Sequence, residues 1–236
     1  MLALDSQVNR PMARAISGLV RTGDLEPRSA EGLFELDLET ERYAPGAVIG
    51  GASAGATGEP PAMKWLLDGW LCEARVLPSG QRQIFSFGIP GDVIELPQSP
   101  LSRAVVAITA VECVDVTDLL THPAVQADDL LEAMSRAVAL ATARRYEHLS
   151  RLGRRSAVVR LASLLVELHD RLHQIGLVKG DEFALPLRHE ELADALGLSP
   201  VHVTRCLKIL RQKDLMTMKF RRVTGFDRAE LETLCN

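Results

Sequence analysis

Between Leu187 and Arg211 the apolar positions of this chain recur at helical spacing twice, on either side of a glycine. Leu192, Ala193 and Leu196 give a first helix one apolar face. Gly197 follows, a residue free to take positive φ, and Ser199-Pro200 supplies an N-cap and a proline at the first position of a second helix. In that helix Val203, Cys206, Leu207 and Leu210 fall inward, which leaves Val201, His202, Thr204, Arg205 and Lys208 on the outer side. Two helices joined this way predict a helix-turn-helix, whose outer side a major groove would meet.

Upstream the pattern changes. Met12 to Val20 reads as a short helix, followed by a polar connector to about residue 30. From Gly32 to about Leu120, short apolar runs separated by turn residues predict strands at 41–43, 47–49, 65–67, 71–77, 82–87, 92–94 and 104–116. Pro78-Ser-Gly80 and Ile89-Pro-Gly-Asp92 read as turns between them. Strands at this spacing suggest a β-roll or barrel. The stretch from Gly50 to Pro61 reads as a flexible loop, since it lacks the Gly-Lys-Ser/Thr ending of a phosphate loop.

A long helix is predicted from about Ala124 to Leu152. Leu131, Met134, Val138, Ala141, Leu149 and Leu152 form a stripe narrow enough for a coiled-coil seam, with Arg145 interrupting it. Such a helix usually pairs with its own copy; packing on the β-domain of the same chain is the alternative. Gly153-Arg-Arg-Ser breaks it, and Val158 to Ile175 forms the next helix.

Charge supports a nucleic-acid partner locally but not overall. The 236-residue chain is net −4, which argues against a general polyanion binder. From Arg151 onward, however, fifteen Lys and Arg face eleven Asp and Glu, and from Ser199 to Arg222 seven basic residues face Asp214 alone. A patch of this kind neutralises phosphates, although a solvated helical face carries similar residues. The apolar runs are broken well short of the ~18 residues a membrane span needs, and the N-terminus lacks a basic segment followed by an apolar one, so a cytoplasmic location without membrane contact is expected. Cys72, Cys113, Cys206 and Cys235 lack C-x-x-C spacing, so reduced thiols are expected rather than a disulfide framework or zinc knuckle.

Three segments carry a more specific likeness: Leu77-Pro-Ser-Gly-Gln-Arg-Gln-Ile-Phe-Ser-Phe with Pro90-Gly-Asp92, Leu152-Gly-Arg-Arg-Ser-Ala, and Leu196-Gly-Leu-Ser-Pro-Val-His-Val-Thr-Arg. With the order of elements they make the chain, from about Leu33 onward, resemble the Crp/Fnr family of bacterial transcription regulators. The resemblance implies an α+β fold: an N-terminal β-roll (a double-stranded β-helix, jelly-roll-like) within residues 1–123, a dimerisation helix over 124–152, and a winged helix-turn-helix over 153–236. It also implies a homodimer on an inverted-repeat site near promoters, in contact with RNA polymerase. On this reading Val201, His202, Thr204 and Arg205 meet base edges, while Ser199, Lys208, Lys213, Lys219, Arg221 and Arg222 hold phosphates. Arg205 matches the family's guanine-reading arginine, with a phosphate contact as its alternative. Val201 stands where the best-known members carry a glutamate for cytosine, and an apolar Val instead suits a thymine methyl.

Departures from the family bear on the signal. Cyclic-nucleotide-binding members pair the cyclic phosphate with an Arg-Ser; here the place reads Ser102-Arg103, and a one-residue slip in a strand reverses the side chain's face, so cyclic AMP is not expected. No cysteine cluster precedes Cys72, which speaks against an iron-sulfur centre. For haem the roll offers Cys72, Cys113, Met63 and the distal His122 as axial ligands, and nothing in the sequence selects one, so the cofactor stays open.

Other constellations read as structural. His169 and His173, four apart on a helix, lack a third ligand and are expected on a solvated face. Tyr146 is expected to pack, Cys206 to fill core, and Cys72 and Cys113 to be buried rather than to sense oxidants. No nucleophile, base and orienter assemble, and a catalytic cupin would want a His cluster that the roll lacks before His122, so no enzyme is expected. The rival reading is an interaction or ligand-sensing protein whose helix-turn-helix has degenerated.

Overall fold

The computed structural model describes residues 10–34, 36–49, 62–97 and 103–235. The expected loop from Gly50 to Pro61 and Ser102 lie outside the described residues. Two helices come first, α1 (Arg10–Gly23) and α2 (Pro27–Phe34). The second stands where a polar connector was expected: Pro27 presets φ at its first position, and Ala30 and Leu33 bury one face too short to show a period. Eight strands follow, β1 (Glu41–Tyr43), β2 (Val48–Ile49), β3 (Met63–Asp68), β4 (Leu71–Val76), β5 (Arg82–Gly88), β6 (Val93–Glu95), β7 (Ala104–Ala107) and β8 (Val111–Asp115). They form two four-stranded sheets in the orders β1-β8-β3-β6 and β2-β7-β4-β5. Strands distant in sequence lie side by side and antiparallel, the winding of a β-roll.

The single strand expected over 104–116 is two strands and the start of a helix. Trp70 makes the corner between them, its carbonyl accepting from the N–H groups of Ile108 and Thr109 while its own N–H donates to the Thr109 hydroxyl. Asp115 then caps α3 (Val116–Thr121) by accepting from the Thr117 N–H at 2.8 Å.

The helix α4 (Ala127–Arg154) follows, and the described chain divides into two compact units within it. The first comprises the residues up to Cys72 and 88–142; the second comprises 73–87 and everything from Ala143. In the first unit, Met12, Ile16 and Leu19 of α1 share a core with Trp65, Val93 and the α4 residues Leu130, Ala133 and Met134. The contact is close: a Cβ on Gly18 would lie 2.7 Å from the Gly91 Cα, so neither position admits a side chain. Inside the roll, Ile49, Leu66, Leu71, Ile94, Leu96 and Val105 form a second apolar cluster. Lys64 holds β1 to the end of β8, donating to Glu41 at 2.6 Å and Asp115 at 2.9 Å.

This packing corrects the stripe expected on α4. Met134 is 1% exposed and belongs to the core of its own chain, so it has no surface left for a partner. Val138 is half-buried against the same core and Ala141 is half-buried, whereas Leu131 and Leu149 are exposed at 46% and 60%. Tyr146, expected to pack, is also exposed.

The second unit carries the other half of α4, α5 (Ala157–Gln174), β9 (Val178–Lys179), β10 (Glu182–Ala184), α6 (His189–Leu196), α7 (Pro200–Gln212), β11 (Thr217–Lys219), β12 (Arg222–Thr224) and α8 (Arg228–Cys235). Its sheet runs β11-β12-β10-β9. At the end of α4, Arg151 is 1% exposed and donates to Ser163 Oγ at 3.1 Å and Glu167 Oε2 at 2.8 Å, with His148 Nδ1 at 3.2 Å. Burial, then the Arg151 charge, holds the His148 imidazole below its ordinary value. Arg145, which interrupts the stripe, is drawn aside to the buried Glu73 at 2.6 Å.

Candidate nucleic-acid interface

The helix-turn-helix forms for the reasons its residues suggest. Leu192, Ala193, Ala195 and Leu196 bury one face of α6. A capping box starts that helix, with Glu191 accepting from the Arg188 N–H and from its guanidinium. Burial alone would raise the Glu191 pKa, but these hydrogen bonds hold it below the usual carboxylate range. Gly197 takes φ 62°, and the Leu198 N–H bonds back to the Ala193 carbonyl, so the chain turns where only glycine is unstrained. Ser199 Oγ then accepts from the His202 N–H at 3.2 Å to cap α7.

Val203, Cys206 and Leu210 bury the inner face of α7, and Leu207, also expected inside, is half-buried at its edge. Val201, His202, Thr204, Arg205 and Lys208 are all exposed. The Thr204 hydroxyl donates to the Pro200 carbonyl at 3.0 Å and lies 3.1 Å from His189 Nδ1, so in the free protein it is held down on the helix. The Arg205 guanidinium has no hydrogen-bond or ion-pair partner among the described residues, and the same holds for Lys208, Lys213, Lys219 and Arg221. Arg222 reaches Glu182 at 3.5 Å, both exposed, a weak tie in water. A row of unengaged cations beside an exposed helix face suits an anionic partner.

The wing is the hairpin of β11 and β12, registered Thr217↔Thr224, Met218↔Val223 and Lys219↔Arg222. Its two-residue turn, Phe220-Arg221, has positive φ at both positions, 49° and 57°. Sequence reading took up the cations here but passed over Phe220, because one apolar residue among basic ones belongs to no period. Arg211, one of the seven basic residues of the patch but given no separate role, is exposed in the last turn of α7. His189 has no signal beyond its place at the start of α6.

The other side of the reader meets the hairpin of β4 and β5. Arg82 Nε donates to Asp194 Oδ2 of α6 at 2.7 Å, and Gln83 Nε2 to the Ala195 carbonyl at 3.4 Å. Arg171 of α5 donates to the Phe87 carbonyl at 3.1 Å. Arg103, in the first unit, turns one guanidinium nitrogen onto the Glu95 carbonyl at 2.7 Å.

Of the histidine pair, His173 is exposed as expected and His169 is not. His169 is 8% exposed, stacked on Phe226 at 4.7 Å and edge-on to Phe183, with Nδ1 3.0 Å from Asp170 Oδ1. It is a core histidine in an aromatic cluster rather than a solvated one, and Asp170 is turned toward it and to Arg228. Cys72, Cys113 and Cys206 are buried, and burial pushes the Cys113 thiol up to about 11, so little thiolate exists at neutral pH. Among the described residues no helix is long and apolar enough to cross a membrane.

Comparison with known proteins agrees with this geometry. Residues 159–234 match a Crp-like helix-turn-helix domain. The chain is 29% identical over 163 residues to the nitrogen fixation regulation protein FixK of Rhizobium meliloti (strain 1021), covering 69% of this chain and 72% of that one. It is 27% identical over 209 residues to the transcriptional activatory protein AadR of Rhodopseudomonas palustris, covering 86% and 84%. The fold is that of FixK2 from Bradyrhizobium japonicum, with TM-score 0.68, 24% identity, and coverage of 85% of this chain and 98% of that one.

Proposed function

We propose that this chain, with a Crp-like reader at 159–234, the matching fold and regulator relatives over most of its length, is a DNA-binding transcription regulator of the Crp/Fnr family, and that its own residues do the work as follows. Two copies pair along α4 and present two α7 helices to successive major-groove turns of a pseudo-palindromic promoter site, about one helical turn apart. The observation that carries this is the unengaged, exposed Arg205 on a helix whose opposite face is locked into the core by Val203, Cys206 and Leu210.

Arg205 makes a bidentate contact to guanine O6 and N7, and Val201, 62% exposed, meets a thymine methyl. His202 and Thr204 complete the base-facing set. Ser199, Lys208, Lys213, Lys219, Arg221 and Arg222 take phosphates, which fix register without reading sequence. The seam between copies uses Leu131, Val138, Leu149 and Leu152, with Met134 withdrawn into its own core and Ala141 at the margin. The assembled regulator contacts RNA polymerase and works in the cytoplasm. Cyclic AMP is not its expected effector, a reading supported by the apolar cluster around Leu66, Ile94 and Val105 and by the Arg103 contact to the Glu95 carbonyl.

Arg205→Ala tests the reading. It is expected to weaken binding to the selected site by about 1 to 3 kcal/mol and to relax preference at one base pair per half-site. Equal weakening on all sequences would make Arg205 a phosphate anchor. Binding with no dependence on sequence or salt would favour the degenerate-reader alternative.

A further inference from the structure

The tip of the wing holds a residue that the fold does not use. Phe220 is exposed to 101% of its reference area, beyond any other large apolar side chain among the described residues. A buried phenylalanine stabilises a core; one fully in water contributes nothing to it. Its backbone is also unfavourable. A two-residue turn with positive φ at both positions favours Asn-Gly, and here Phe220 and Arg221 occupy it at 49° and 57°. Neighbouring structure holds them there: Val223 is fully buried, Met218 pairs with it, and the Leu215 N–H bonds to the Leu210 carbonyl, tying the wing to the end of α7. Strain of this kind is retained where the surrounding fold over-determines it and is a pointer to function.

The surroundings of Phe220 select the partner. Lys219 and Arg221 flank it in sequence, Arg222 follows, and no carboxylate lies within the tip. An apolar ring ringed by cations fits a groove that is anionic at its rims and apolar between its base pairs. We propose that Phe220 enters the minor groove beside the major-groove segment read by α7, as an apolar wedge at a base step, held by phosphate contacts from Lys219, Arg221 and Arg222. This rests on the DNA-reading role of α7 proposed above. Apolar wedges partly unstack a step and kink the duplex, and pyrimidine–purine steps such as TA and CA yield most easily. The wing therefore reads deformability at flanking positions that α7 does not touch.

The test uses the full chain and its variants Phe220→Asn, which suits positive φ, and Phe220→Leu, which keeps an apolar wedge. Duplexes selected from a random library by the wild type are compared with those selected by each variant. Affinity is then measured on the selected half-sites with TA or G·C flanks, and 2-aminopurine placed at the flanking step reports unstacking. The expected result is a flanking pyrimidine–purine preference and a fluorescence rise with the wild type, both largely kept by Leu. With Asn both are lost, and affinity on the TA flank falls roughly tenfold while the inner half-site preference stays.

Unchanged flanking preference and fluorescence with Asn would overturn the wedge while leaving the α7 reading intact. Equal loss on every flank would overturn it in favour of a phosphate-only turn. Unchanged DNA binding with lost recruitment of RNA polymerase would make the tip a protein contact and overturn it likewise. If the wild type selected no sequence at all, the α7 reading would fail and the wedge with it.

Discussion

Arg151 offers the sharpest test of how the second unit is held together. Its guanidinium is almost wholly buried and has three partners, Glu167 at 2.8 Å, Ser163 at 3.1 Å and His148 at 3.2 Å. Replacing it by Met keeps the stem and removes the head. The charge-assisted bond to Glu167 is worth about 1.5 to 3 kcal/mol and the other two about 1 kcal/mol each. Against that, Met spares the several kcal/mol needed to bury a guanidinium. Glu167 is not wholly orphaned, since its carboxylate is 22% exposed and Arg171 stays within 3.6 Å. The balance is a destabilisation of roughly 2 to 4 kcal/mol, at the lower end of what breaking a buried pair costs.

Because the described chain has two compact units, one global unfolding energy is a poor measure, and amide exchange in α5 is the better one. Exchange there is expected to quicken roughly 30- to 1000-fold in Arg151→Met, the range that 2 to 4 kcal/mol implies. Glu167→Gln alone should cost a comparable amount, and the double variant less than the sum by about 1 to 3 kcal/mol. Exchange within threefold of wild type, or strict additivity, would show that the buried pair does not hold α4 to α5.

Other outcomes follow from features already placed. Leu149→Glu changes a side chain that is 60% exposed in the single chain, so folding should survive while sedimentation shows monomer; an intact dimer would remove Leu149 from the seam. His148 is held below its ordinary 6.5 by burial and by Arg151, with Glu167 opposing, so the folded state resists a proton that the unfolded chain accepts. Stability contributed this way is complete above about pH 6.5 and is lost as pH falls from there toward the lowered folded value; His148→Gln should flatten that segment of a stability–pH curve, and an unchanged slope would refute the assignment. Isothermal titration with cyclic AMP should give no saturable heat, because an anionic phosphate would meet an apolar roll without a guanidinium in the family register; a micromolar isotherm would mean that Arg103 reaches it.

The reader was legible because several independent local rules agree over twenty residues. A turn glycine, an N-cap, a proline at the first helical position and two apolar faces each point to the same geometry, and Gly197, Ser199 and Leu210 occupy the places those rules assign. Short elements escaped: β9 and β10 have two and three residues, too few for alternation, and α8 buries only Leu231. The stripe on α4 departs from its expected burial for a physical reason. Spacing says which residues share a face but not which neighbour covers it, and α1 with the roll takes Met134 while Leu131, three residues earlier, stays in water. His169 was misplaced similarly, since its aromatic neighbours come from Phe183 and Phe226, fourteen or more residues away.

The hairpin carrying Arg82 and Gln83 touches the first helix of the reader, although more than a hundred residues of chain separate them. A reader exchanged between two regulators at Gly153 would arrive without the side chains that meet Asp194 and Ala195. The transferable block is therefore discontinuous in the gene: one segment spans the hairpin, and another begins within α4, near Ala143. Recombination with a single breakpoint breaks that set, and a workable chimaera needs two insertions that travel together.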